Sequence, residues 1–368
     1  MSEIRPLERE DLPQVVSLHE RIARSRSETL PPGLAEHLEG LFFDYPWADP
    51  ELPPLVYVDD EKAVAGLIGS SVRRLLWDGR PARMRISSHL LADPEVRTRA
   101  AGAMLLRECL SGPQDLTVTD TANESSRRLW EGLGGTAWHL GCLGWIRVFR
   151  PWRFARAVLS WRGRDGLAAT ARPFAPALDS VSRRAFRPPP AKTRSEELTP
   201  EAFAAHVDSV TRTFRLRLAY EDADFSTWLL AELRNIWRDE RLVARLVWAD
   251  DQVRGWYVYA VKPEGVAEAL HVAGADRDVG DVLDDLFHHA WSRGLSAVQG
   301  RVEPHLLDAL AHRKCFFHAS NSSALIHSRD TELLDAVHEG RGLLTRMDAD
   351  WWIYGPWWDV TVGTSSAV

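Results

Sequence analysis

Residues 90–106 hold the residue types best suited to chemistry. An apolar strand ends at Asp93-Pro94. A short loop and helix start follow, reading Arg97-Thr98-Arg99-Ala100-Ala101-Gly102-Ala103. The spacing predicts a helix from about Ala100. The first N–H groups of a helix lack intrahelical partners, and its dipole favours negative charge there. Arg97 and Arg99 add positive charge, while Ala100 and Gly102 let a phosphate approach the backbone. The stretch therefore reads as an anion site. A plain strand-to-helix turn with solvated arginines has the same pattern. His89, on the strand leading into the loop, is of the one type that titrates near neutral pH. A half-buried strand histidine without a role fits that position too.

These residues need a strand, a helix and a second strand to hold them. The pattern predicts strand, helix, strand and helix over 84–92, 100–111, 115–119 and 123–133. Thr121-Ala122-Asn123-Glu124 matches a capping box, and Gly134-Gly135 stops the helix that follows. Asp11 is expected to cap an earlier helix with Leu12, Val15, Val16, His19 and Ile22 on one face.

The same order recurs in the second half. Residues 55–66 and 246–255 both read as strand, Asp-Asp turn, strand. Downstream, 269–273, 279–293, 297–302 and 304–312 repeat strand, helix, strand, helix. Order and spacing carry this repeat, since identity between the halves is low. Strands alternating with helices imply an α/β (α+β) chain, each half a mixed central sheet flanked by helices.

The loop resembles the acyl-CoA loop of GNAT acetyltransferases, Arg/Gln-x-x-Gly-x-Gly/Ala, with Ala100 in place of the first glycine. The run from Asn123 through Leu129-Trp130 to Gly134-Gly135 is similar to the family's Asn-x-x-Ala-x-x-Leu-Tyr-x-x-x-Gly-Phe, at the right distance. The resemblance covers about residues 1–150, and reaches 200–345 only as order of elements. It implies a GNAT acyl-CoA-binding domain at 1–150, a basic connector at 151–195 and a degenerate GNAT-like domain at 196–368.

It also implies acetyl-CoA, or another acyl-CoA, as co-substrate. The backbone of Leu90, Leu91 and Ala92 would then pair with the pantetheine arm. Arg97, Thr98, Arg99, Ala100, Ala101, Gly102 and Ala103 would hold the pyrophosphate, Asn123 would contact the arm, and Trp130 would lie beside the thioester. The family commonly has tyrosine at that last position, protonating the thiolate. Indole cannot do so. Transfer to an amine also needs a general base, for which His89 and Glu124 are the candidates. Glu124 also serves as a simple helix cap.

The expected function is an acyl-CoA-dependent N-acyltransferase, specifically an N-acetyltransferase, acting on a small-molecule amine. The alternatives are a non-catalytic GNAT-fold binding protein and an aminoacyl-type transferase on a tandem GNAT-like fold. In the second copy the equivalent loop carries Asp276, Asp278 and Asp281 around Arg277, which would repel a pyrophosphate.

Composition narrows the classes. Cys109, Cys142 and Cys315 are too scattered for a disulfide framework or zinc site, and no metal is expected. The N-terminus has no apolar signal segment and no run is long enough to span a membrane, so a cytoplasmic protein is expected. Net charge is −7, yet 147–194 holds twelve Lys/Arg against two Asp, making it +10 and the remainder −17. No nucleic-acid partner is expected. The basic stretch reads as a solvated linker on an acidic flank, or as a contact for an anionic ligand or membrane surface. Sixteen tryptophans, including Trp351-Trp352 and Trp357-Trp358, suit domain packing or a stacking wall for an acceptor.

Overall fold

The structure, a computed structural model, describes residues 2–25, 30, 33–93, 99–170, 179–180, 184–237, 241–275, 277–320, 322–350 and 352–353. In chain order the first half contains β1 (Glu3–Pro6), α1 (Leu12–Ser25), α2 (Leu34–Phe42), β2 (Leu55–Val58), β3 (Val64–Trp77), β4 (Arg80–Ala92), α3 (Arg99–Ser111), β5 (Leu116–Ala122), α4 (Glu124–Gly132), β6 (Thr136–Ala137) and β7 (Leu143–Val148). Then come α5 (Pro151–Trp161), α6 (Asp165–Thr170), β8 (Arg194–Glu197), α7 (Pro200–Thr211), β9 (Leu216–Leu218), α8 (Ala223–Trp237), β10 (Leu242–Ala249), β11 (Gln252–Val261), β12 (Val266–Gly274), α9 (Val279–Ser292), β13 (Ala297–Arg301), α10 (Leu307–Ala311), β14 (Phe316–Ala319), β15 (Ser323–His327) and α11 (Thr331–His338).

Local chemistry accounts for many of these boundaries. The β3–β4 hairpin turns through Asp78-Gly79, both with positive φ, as a two-residue turn matched to strand twist requires. The β10–β11 hairpin does the same through Asp250-Asp251. On α1 the residues Leu12, Val15, Leu18 and Ile22 fall on one buried stripe. Two expected caps sit elsewhere. Asp11 ends a short 3-10 turn before α1, its carboxylate accepting from the Glu8 N–H at 2.9 Å and from Arg5. At α4 the cap is Asn123, not Thr121, with Asn123 Oδ1 accepting from the Ser126 N–H at 2.9 Å.

Two mixed sheets result. The first runs β1-β2-β3-β4-β5-β15-β6, with β9 added to the far end of β3. The second runs β8-β10-β11-β12-β13-β7-β14. In each path the fourth and fifth strands are parallel and all other neighbours antiparallel, so the two sheets share order and polarity.

The sixth strand of each path comes from the other half of the chain. β7, which follows the first sheet's elements in sequence, pairs with β13 and β14. β15, which follows the second's, pairs with β5 and β6. The sheets are thus laced by a reciprocal strand exchange. Their largest apolar core is continuous across both halves, containing Val15, Leu67 and Ile86 together with Phe225, Trp256 and Trp352.

Candidate functional site

The first sheet opens between β4 and β5. Their parallel ladder comprises only Met84↔Leu116, Arg85↔Thr117 and Ile86↔Val118. Beyond Ile86, β4 keeps its other partner, β3, as far as Gly66↔Ala92. Past Ile86 no described strand pairs with the β5-facing edge of β4, along Leu90, Leu91 and Ala92. Backbone groups on such an edge need partners from elsewhere.

A bulge shapes this edge. The β3–β4 register slips between Leu67 and Gly69, with His89 in the left-handed region at φ 50°. A non-glycine residue holds that conformation at a cost of order 1 kcal/mol, so the surroundings must enforce it. Gly69 leaves the room that this arrangement needs. A Cβ there would lie 2.5 Å from Ser88 Oγ and 2.8 Å from the Phe42 ring.

The His89 ring is buried. Its Nδ1 lies 3.0 Å from Ser88 Oγ, and its face meets His19 and Phe42 edge-on at 5.6 and 5.8 Å between centroids. Burial, then the nearby His19 and His37, push its basicity well below the usual histidine range. Burial likewise lowers His19 and His37 to about 4. His37 Nδ1 faces Glu232 of α8 at 3.9 Å, so this side of the opening is built from both halves of the chain.

The strand end and the helix that follows it are tied separately. Asp93, buried, is held by Arg21 of α1 at 2.8 Å. Arg97 and Thr98 lie outside the described residues. Arg99 and Ala100 form the first turn of α3. Ala101 is buried in a cluster with Leu55, Tyr57 and Ile68, fixing that turn against the sheet. A Cβ on Gly102 would meet no described atom within 4 Å, so the helix start is sterically open at that residue.

The α4 residues are placed differently from one another. Asn123 spends its side-chain oxygen on the helix cap. Glu124 is exposed and bound by Arg127 and Arg128 at 2.9 Å each, which hold its carboxyl down to about 2. Trp130 is buried in the apolar cluster with Leu105, Ala122 and Leu325.

Sequence reasoning missed the carboxylates at the end of β5. Asp350 accepts from the Asp120 N–H at 2.6 Å and from the hydroxyls of Thr119 (3.2 Å) and Thr121. The Asp120 carboxylate pairs with Arg301 of β13 at 2.9 Å, both side chains being buried. Burial and the adjacent Asp120 raise the Asp350 carboxyl well above its usual range. The only sequence signal was the spacing of Asp348 and Asp350 beside the Trp351-Trp352 pair.

The second sheet has the corresponding opening, filled by the chain itself. Its parallel ladder runs Val266↔Ala297 to Ala269↔Gly300, with a register slip at Val258/Tyr259. Next along β12, the Leu270 carbonyl accepts from the Met347 N–H at 3.0 Å. Arg346 pairs with Glu268, and Arg301 donates to the Leu344 carbonyl at 2.9 Å. The start of α9 is also self-neutralised, Asp278 being held by Arg254 at 2.9 Å. Asp276 lies outside the described residues.

This is the fold of the GCN5-related N-acetyltransferases. One similar solved structure is a GCN5-related N-acetyltransferase from Anabaena variabilis ATCC 29413, with TM-score 0.58 and 13% identity over 90% of this chain and 74% of that one. Another, from Kribbella flavida, gives TM-score 0.54 at 15% identity over 90% and 73%. A probable N-acyltransferase from Enterococcus faecalis V583 gives 0.57 at 9% over 89% and 72%. No family model and no curated protein matches the sequence. The first sheet is open beyond its parallel pair, and in the second the corresponding place is taken by Leu344 and Met347. Among the described residues no helix is long and apolar enough to cross a membrane, and no group of three His, Cys, Asp or Glu could hold a metal.

Proposed function

We propose that the chain is an acyl-CoA-dependent N-acyltransferase, specifically an N-acetyltransferase, with one working site, in the first sheet, and a small-molecule amine as acceptor. One observation carries this reading. The β4–β5 ladder stops after three pairs, and the bare strand edge beyond it leads to a helix start open at Gly102.

The residues present fit such a co-substrate. Leu90, Leu91 and Ala92 offer an unpaired strand edge to the amides of a pantetheine arm. The helix start at residues 99–103 offers N–H groups to a pyrophosphate. Bound there, an acyl-CoA supplies the activated thioester. The chain's own part is to place it and to handle the amine's proton. His89 sits at the bulge, stays neutral through the physiological range, and so keeps an imidazole lone pair. Glu124 is the weaker candidate, because it is exposed and both Arg127 and Arg128 already occupy its carboxylate. We assign the proton to His89, directly or through an ordered water.

The buried, apolar setting of Trp130 favours a second reading, a fold that binds the ligand without turning it over. Release of free CoA thiol from acetyl-CoA, followed with a mixed panel of primary amines, separates the two. Amine-dependent thiol release supports transfer. Tight acetyl-CoA binding with no release across the panel supports the binding-only reading.

A further inference from the structure

Helix α5, the first part of the basic connector, folds onto the outer face of the second sheet. α5 packs Phe154, Ala157 and Trp161 over Ile146, Val148, Val266 and Ala297. This leaves an outer face carrying large apolar groups in water. Trp152 is 47% exposed and Leu167 56%. Phe316 of the edge strand β14 is 60% exposed and stands directly across from Ile146, one of the residues under α5. Exposed apolar groups clustered on one face mark an interaction surface.

On this face the arginines make no ion pair within 4 Å with the acidic remainder of the chain among the described residues, Glu264 lining the same groove as Arg153 and Arg156 without pairing with them. Among the described residues Arg153 pairs with Asp179 alone, inside the connector, at 3.7 Å. Arg156 spends one donor on the Ala168 carbonyl at 3.0 Å. Arg162 and Arg164 are exposed. Among the described residues, none of these four cations meets a carboxylate outside the connector. Three further arginines of the basic stretch are engaged elsewhere. Arg150 donates to the Trp291 carbonyl, Arg187 lies over the Trp291 ring at 4.7 Å, and Arg194 pairs with Asp251.

We propose that the α5–α6 face, continued by Phe316, is a docking surface for an anionic lipid bilayer. Indole and phenyl rings beside arginines suit the boundary between acyl chains and headgroups. The cations supply attraction to anionic headgroups within a Debye length. A nucleic acid would use the same charge but gives no place for Trp152 and Leu167 to enter an apolar phase.

The test is flotation of the full chain with vesicles of phosphatidylcholine alone, or with about 30% phosphatidylglycerol added, at low and high salt. Binding to the anionic vesicles should exceed the neutral ones by about tenfold or more and weaken as salt rises. Trp152→Ser with Leu167→Ser should abolish it. Arg162→Glu with Arg164→Glu should cut it by about tenfold or more, with circular dichroism unchanged because all four side chains are exposed. No flotation at low salt, flotation untouched by either pair, or displacement by duplex DNA of the wild type and the Trp152/Leu167 variant alike would overturn the proposal.

Discussion

Asp350 and Asp120 meet at the end of β5, the Asp120 N–H donating to the Asp350 carboxylate at 2.6 Å. Asp120's own carboxylate reaches across to Arg301 in the second sheet. The C-terminal segment thus joins the closed opening of one sheet to the strand beside the open one of the other. Asp350→Ala would strand three donors in a buried site, since the Thr119 and Thr121 hydroxyls and the Asp120 amide all lose their acceptor. The expected loss is about 3 kcal/mol or more of unfolding free energy. Asp350→Asn keeps one acceptor oxygen and should lose less. Denaturant titration of both variants checks the order, and an Ala variant as stable as wild type would contradict it.

Stability should fall as pH rises between about 6.5 and 8. Burial raises the carboxyls of Asp348 and Glu303 to about 8. Their folded-state values lie above the unfolded ones, so the folded chain binds protons that the unfolded chain has released. That stabilisation is complete below about pH 4 and is lost as pH climbs through 8. The buried His19, His37 and His271, lowered to about 4, 4 and 3, act in the opposite sense. Their contribution is finished by about pH 6.5, the ordinary histidine value. Unfolding free energy at pH 8 should be lower than at 6.5 by about 1 kcal/mol or more, and Asp348→Asn should flatten the slope. A flat or rising curve over that window would show that these carboxyls ionise normally.

Neither half should fold alone. A fragment ending at 150 lacks β15 between β5 and β6, and one starting at 196 lacks β7 between β13 and β14. Each would expose unpaired strand edges and aggregate. Co-expressed fragments 1–150 and 151–368 should associate, because together they restore both pairings. Monomeric, natively dispersed NMR spectra from either fragment alone would refute the exchange.

Gly102→Val and Gly69→Ala should part stability from binding. A Cβ at 102 meets no described atom within 4 Å, and replacing glycine inside a helix does not destabilise it. The melting temperature should therefore hold while acetyl-CoA affinity drops about tenfold, about 1.4 kcal/mol. Alanine at 69 strikes Ser88 and Phe42, so the bulge at His89 must shift, costing about 1–3 kcal/mol of stability as well. Equal effects of both variants on melting temperature would contradict this division.

Where local chemistry decides, the fold could be read from the sequence. The Asp-Asp turn at 250–251, the strand-to-helix order around 90–111 and the repeat of that order all stand in the two sheets. The strand exchange was not legible. β7 and β15 are both short apolar strands that satisfy either sheet equally well by pattern, and only their distant partners decide. The bulge was hidden for a related reason. Nothing in Ser88-His89-Leu90 marks a left-handed residue, and the room it needs is left by Gly69 on the neighbouring strand. At α4, Thr121 matched the capping pattern, but it remains in β5 and Asn123 makes the cap. The roles of Asp348 and Asp350 were not legible, because their partners Tyr220, Thr119 and Thr121 are far away in sequence.

Calorimetric titration of the full chain with acetyl-CoA tests the central claim most directly. The open β4–β5 split and the filled β12–β13 split predict one molecule bound per chain, with affinity weakened in Gly102→Val. No heat of binding at millimolar acetyl-CoA, or two equivalent sites per chain, would contradict the account.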